Sequence, residues 1–382
     1  MKIIGVLLCI ALVVCTVAVV RDNESKSIKA DVSCEHITGT AQELPNTVKG
    51  VWISFYEIRE YLENTSEKAF ISKIDDLTDK LKGKGINTVF YQLRAFCDAF
   101  YVSDIFPEDK CVNGEFDPFD IFLDIAVDKG IKVHGWINPF RVSYNRSTAV
   151  LKNCPVVNGL YKEDKTSLIV CDKGIYLNPC NPKSREIAYK GVREVLDKYP
   201  VDGIHFDDYF YPETKLPTEK SYKEYKKSGG TLSVGDYRRE NISSFVSGIY
   251  SLVKSYGKDK IFSVSPCADI DKCRDVFYAD VELWSSEDGY ADYIIPQIYY
   301  GFNNETMPFA ETVEKWEKIV DINAVTLVCG LASYKVGEED AFAGYGKNEW
   351  KEEPDIINRQ IKYIMDRDVW SGYSLFSCSY IV

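Results

Sequence analysis

From Val48 onward the chain alternates between two hydrophobic rhythms. Short β-branched and aromatic runs, in which neighbouring side chains sort to opposite faces, are separated by longer stretches with helical spacing. The strand-like runs are GVWISF (50–55), INTVFYQLR (86–94), IKVHGWINPF (131–140), VDGIHFDD (201–208), KIFSVSP (260–266), DYIIPQIYY (292–300), AVTLVCGLASY (324–334) and WSGYSLFS (370–377). Helix-like segments lie between them near 66–83, 118–129, 183–199, 236–257, 272–283, 308–321 and 354–367. This βα alternation predicts an α/β fold, a parallel (β/α)8 TIM barrel, with a doubly wound sheet as the alternative. Two long connections, about 141–181 after the third strand and about 209–235 after the fourth, are expected to carry function.

Parity along each run predicts what the barrel encloses. In the fourth run Ile204 and Phe206 turn toward the outer helices, so His205 and Asp207 point inward and Asp208 falls just past the strand end. In the second run Val89, Tyr91 and Leu93 share one side, Gln92 and Arg94 the other. In the third, Val133 and Ile137 face out while His134, Trp136 and Asn138 face in. In the sixth, Ile294, Pro296 and Ile298 oppose Gln297 and Tyr299. Polar inward residues late in several strands exceed what a barrel filled only for stability requires. A buried Arg94–Asp207 ion pair is the structural alternative.

The first twenty residues read as a signal peptide or signal anchor: Lys2, then an apolar run from Ile3 to Val20, then a charged segment. Residues 21–46 are polar and read as a tether, and 47–382 as the barrel. The protein is therefore expected outside the cytoplasm, secreted or held to the envelope by its N-terminus, with the membrane a partner only through that leader. A net charge of -12 argues against nucleic acid as a partner. Aromatic residues make up 13% of the chain, with 26 Tyr, a composition suited to stacking on sugars. Cys occurs 12 times without a C-x-x-C pair. Disulfides are permitted in an exported chain, and Cys329, in an apolar run, reads as a buried free thiol. With three His, no H-x-H pair, no P-loop and no dinucleotide fingerprint, no metal site and no cofactor are expected.

Several motifs together resemble the glycosyl-hydrolase-like-10 family: GVWIS (50–54), NTVFYQLRAFCDAFYVS (87–103), FDPFDIFLDIAVDKGIKVHGWINPFRV (116–142), YLNPCNPKSREI (176–187), VDGIHFDDYFYP (201–212), YRRENISSFV (237–246) and DYIIPQIYY (292–300). The resemblance covers about residues 48–335. It implies a TIM barrel acting on glycosidic bonds, in a family whose members are often exported or lipid-anchored envelope proteins. One branch of that family cuts peptide-free peptidoglycan strands. The chain departs from the family pattern at Cys97, in CDA rather than GDA, and in SPCAD (265–269) rather than SPFG.

Glycoside hydrolysis generally uses two carboxyl groups, roughly 5–5.5 Å apart in retaining and 6.5–9.5 Å in inverting enzymes. Asp207 is the candidate nucleophile or base, at a strand-four position similar to that of the nucleophile in alpha-amylase-type barrels, with Asn138 near their strand-three Asn. Asp208 and Asp98 are candidates for the acid; Asp269 and Glu287 are more remote. Arg94, Trp136, Asn138, Arg141, His205, Tyr209, Tyr211, Gln297 and Tyr299 are the candidate substrate-binding residues, the arginines for polar groups and the rings for stacking. The expected function is an exported glycoside hydrolase acting on an envelope glycan or polysaccharide. The alternatives are a non-catalytic carbohydrate-binding barrel and an envelope scaffold.

Overall fold

A computed structural model describes residues 47–382 apart from Asn113, Pro217 and Thr218. The leader and tether, with Cys34 and His36, lie outside the described residues. Eight parallel strands close on themselves in chain order. They are β1 (Val48–Ile53), β2 (Thr88–Arg94), β3 (Lys132–Ile137), β4 (Gly203–Phe206), β5 (Ile261–Val264), β6 (Tyr293–Ile294), β7 (Thr326–Ala332) and β8 (Trp370–Phe376). β8 pairs with β1, so no edge is left open and the doubly wound alternative is excluded.

The strands form because both of their faces are buried. Outward residues such as Val89, Tyr91, Ile204 and Phe206 join the layer beneath the helices. Tyr91 packs on Phe119 and Phe122 of helix Pro118–Asp128, and Phe206 stacks on Phe245 of helix Val234–Ser255. Inside, a separate apolar cluster of Val48, Trp52, Phe90, Trp136, Ile295 and Val328 fills the lumen. Helix starts follow their caps. Asp117 before Pro118 and Asn181 before Pro182 each accept two N–H bonds from the first turn of their helix.

Three differences from the sequence reading have local causes. β6 is short because Pro296 has no N–H to donate; pairing resumes at single bridges from Gln297 to Cys267 and Gly330. The single helix expected over 272–283 is two, Ile270–Asp275 and Val281–Ser286, because Asp280 caps the second start. An unpredicted helix, Phe55–Leu62, follows β1 directly. The long connection after β3 folds into an antiparallel sheet of Arg141–Ser143, Leu168–Cys171 and Gly174–Leu177. A Cys97–Cys154 disulfide ties this region to the loop after β2. Cys329 is a buried free thiol, as expected. After β8 one 3₁₀ turn, Cys378–Tyr380, lies at the barrel mouth.

Candidate active site

The lumen is organised in layers. Deepest, His134 lies between Phe90 and Tyr293, and burial lowers its pKa to about 3. Above it His205 accepts from or donates to every neighbour its ring can reach. Trp52 Nε1 donates to its Nε2 at 3.0 Å, and the hydroxyls of Ser265 and Ser263 lie 3.0 and 2.8 Å from Nε2 and Nδ1. Burial holds this imidazole neutral. The next inward residue, just past the end of β4, is Asp207, and there the lumen opens into a cavity of about 620 Å³. Trp52 and Trp136 line its floor, Arg141 and Tyr209 one side, Gln297 and Tyr299 another. Helix Phe55–Leu62 and the end of β8 complete the walls, with Tyr56, Arg59, Phe376 and Tyr380.

Asp207 is held by a relay of amides. The Phe55 backbone N–H donates to Gln92 Oε1 at 2.9 Å, Gln92 Nε2 donates to Asn138 Oδ1 at 2.8 Å, and Asn138 Nδ2 donates to Asp207 Oδ2. The Tyr209 N–H donates to the other oxygen at 3.3 Å. Three strands thus fix one carboxylate. Its pKa lies well above the ordinary carboxylate value, first because burial disfavours the anion and then because Asp208 is close. Arg141 and the two N–H donors oppose the rise. Asp208 is also raised, by burial foremost, with Lys272 and Arg141 opposing. The two titrate as a pair.

Asp208 is part-exposed and does not line the cavity; beside it, Lys272 pairs with Glu213 at 3.0 Å. Asp98 lies at the other margin. It accepts the Phe96 N–H at 3.1 Å, has Arg59 at 3.8 Å, and is raised to about 6 by burial and by Asp109. The structure therefore puts the candidate nucleophile, Asp207, in the cleft and both candidate acids, Asp208 and Asp98, at its margins. Asp269 caps helix Ile270–Asp275, and Glu287 follows helix Val281–Ser286.

Of the expected binding residues, Trp136, Arg141, Tyr209, Gln297 and Tyr299 line the cavity, and Asn138 holds Asp207 from beneath. Three expectations are corrected. Arg94 does not face the lumen. The β2–β3 register shifts between Gln92 and Arg94, so Arg94 pairs with outward-facing Ile137. Its guanidinium lies 3.4 Å from the Phe106 ring centre, against helix Pro182–Lys198, where a Cβ on Gly191 would stand 2.1 Å from Nη1. It makes no pair with Asp207. Tyr211 is fully buried away from the cavity, hydroxyl on Cys180 Sγ at 3.1 Å and ring edge-on to Tyr278. His205 is saturated in the layer below and does not line the cavity.

The sequence reading missed Glu57, Trp52, Arg59 and Tyr334. Glu57 is a buried carboxylate that fastens β1 to β8. It accepts from Ser54 N–H and hydroxyl, Ser377 hydroxyl and Ser379 N–H, at 2.7–2.9 Å. Its signal was in the sequence, since S-F-Y-E at 54–57 has the spacing of a capping box. Trp52 follows from the parity count applied to β1. Among the described residues no group of three or more His, Cys, Asp or Glu is placed to hold a metal ion.

A family model described as Glycosyl hydrolase-like 10 matches residues 47–345. The chain is 28% identical over 373 residues to a protein named Glycosyl hydrolase DigH from Escherichia coli K12, covering 87% of this chain and 83% of that one. It is 27% identical over 287 residues to Glycosyl hydrolase YngK of Bacillus subtilis, covering 68% of this chain and 55% of that protein. Among solved structures, the PgaB (BpsB) glycoside hydrolase domain from Bordetella bronchiseptica superposes with a TM-score of 0.61, covering 88% and 95% of the two chains. An alpha-L-fucosidase isoenzyme 2 from Paenibacillus thiaminolyticus superposes at 0.54, covering 87% of this chain and 46% of that one. At 10% and 11% identity these two likenesses concern the fold.

Proposed function

The chain belongs to the glycosyl hydrolase-like 10 family and is a glycoside hydrolase; from that premise we propose that it cleaves an envelope glycan or polysaccharide through Asp207 and a second carboxyl group. The observation that carries this reading is the Asp207 carboxylate, 3% exposed, fixed by two N–H donors at the end of β4 and opening on an aromatic-lined cleft. The donors favour its anion, which suits a nucleophile or a base for water. Asp208 is the acid in this reading. Two adjacent carboxyls resist double ionisation, so the charge of Asp207 favours the protonated form of Asp208, which then carries the proton for the leaving oxygen. Trp136 and Tyr209 offer faces to pyranose rings, and Gln297 and Tyr299 offer hydrogen bonds to hydroxyls. The apolar run at 3–20 supports an exported enzyme, and the family resemblance supports peptide-free peptidoglycan as substrate.

Product analysis on intact and peptide-stripped peptidoglycan, with an α-glucan as control, tests this. New reducing ends from the stripped strands are expected, absent with Asp207→Asn and released roughly 100-fold more slowly with Asp208→Asn, the range of a lost general acid. Undiminished cleavage in Asp208→Asn with loss in Asp98→Asn would move the acid to the opposite rim. Saturable glycan binding by a wild type that releases no reducing ends would establish a binding module instead. Protease accessibility on intact cells tests export.

A further inference from the structure

Two guanidinium groups open onto the cleft, Arg59 and Arg141, and their surroundings differ. Arg59 is neutralised: Nη2 and Nε lie 2.6 and 3.3 Å from the two Asp109 oxygens, with Asp98 at 3.8 Å. Arg141 has no such partner. Its guanidinium sits over two ring faces, Phe96 at 4.4 Å and Tyr209 at 4.3 Å from the ring centres. Among the described residues no carboxylate lies within ion-pair distance of it and no acceptor within hydrogen-bond reach. The nearest catalytic anion, Asp207, feels its charge, but the Asp207 oxygens are taken by Asn138 and the Tyr209 N–H.

A part-buried cation held by rings instead of anions is under-compensated. The rings occupy its flat faces and leave the N–H edge for the cleft. That planar edge matches a carboxylate with two parallel hydrogen bonds. The chain as a whole carries -12, which repels an anionic polymer at long range, so recognition of an anion must be local.

We propose that the glycan carries a carboxylate and that Arg141, steadied by Phe96 and Tyr209, receives it beside the scissile bond. This rests on the hydrolase reading of the same cleft. The carboxylate is either part of a sugar ring, as in a uronic acid, or borne on an ether substituent, as in the lactyl group of peptide-free strands. In a peptide-bearing strand the lactyl carboxylate is consumed as an amide, so Arg141 would select against it.

The test compares peptide-free peptidoglycan strands, the same strands with carboxyls reduced to alcohols, and polygalacturonate. Wild-type kcat/KM is expected to fall roughly 10- to 100-fold on carboxyl reduction, the range of a charge-assisted pair. Arg141→Gln is expected to lose the discrimination between untreated and reduced strands, and Arg141→Lys to keep part of it. Preference for polygalacturonate would assign the ring carboxylate, and preference for the strands the lactyl one. Equal cleavage of untreated and reduced strands by the wild type, or an equal loss on both in Arg141→Gln, overturns the proposal. Calorimetric binding to the Asp207→Asn protein separates the two readings. Carboxylate-dependent, Arg141-dependent binding without wild-type cleavage of any strand sinks the hydrolase and keeps the subsite. Cleavage with charge-independent binding does the reverse.

Discussion

His205, in β4, and Asp207, just past its end, stand two residues apart, both inside the barrel, and they solve burial in opposite ways. The imidazole is saturated by Trp52, Ser263 and Ser265 and held neutral. The carboxylate opens to a cavity, keeps only two N–H donors and carries a second carboxylate next door. The layer around His205 behaves as core in which polar atoms happen to be paired. The layer around Asp207 keeps an ionisable group that packing alone would remove. Within one barrel, satisfied polarity marks the floor and under-compensated polarity marks the chemistry.

The comparison predicts a split between stability and activity. His205→Ala should cost about 3 kcal/mol of stability, since it opens a hole and strands the Trp52 N–H. Denaturant unfolding measures it, and the folded fraction should keep its kcat. Asn138→Ala, one layer higher, should do the opposite. Loss of a hydrogen bond to a charged group is expected to lower kcat by about 2 kcal/mol, roughly 30-fold, with a smaller effect on unfolding.

Asp207→Asn should raise the melting temperature at pH 8, by on the order of 1–2 kcal/mol of stability. The sign follows from a folded-state pKa above that of the unfolded chain. The cost to the native state therefore grows as pH rises from the ordinary carboxylate value toward the folded one and is complete above it. Below the ordinary carboxylate pKa the cost is absent, so the variant and the wild type should melt together at acid pH. An equal gain at both pH values would mean the effect is packing and not charge. Arg94→Met should change kcat/KM less than about twofold, because Arg94 lies outside the lumen. A loss above tenfold would return it to the site.

How much of this was legible in the sequence depends on how local the rule was. The eight strands and the inward placement of Trp136, Asn138, His205, Asp207, Gln297 and Tyr299 follow from a period of two, which a buried strand enforces along its length. The same count failed at Arg94 because a bulge after Gln92 resets the period, and nothing in TVFYQLR announces it. Tyr211, expected to stack on sugar, lies past the strand end, where turn geometry replaces parity and turns its ring into the protein. The helix after β1 had a signal in its S-F-Y-E start that a strand-first reading passed over. The cleft wall formed by Tyr334 and the turn Cys378–Tyr380 had none, because it arises from closure of β8 onto β1.

The central claim is that Asp207 ionises within a shared titration and performs the cleavage. The most direct measurement is the pH dependence of kcat/KM for reducing-end release from peptide-free strands, wild type against Asp208→Asn. A bell displaced toward neutral pH is the predicted result, in which the residual activity of Asp208→Asn loses the falling limb, the ionisation of Asp208, and keeps the rising limb, the ionisation of Asp207 beside a neutral neighbour. An Asp208→Asn profile superposable on that of the wild type would contradict it.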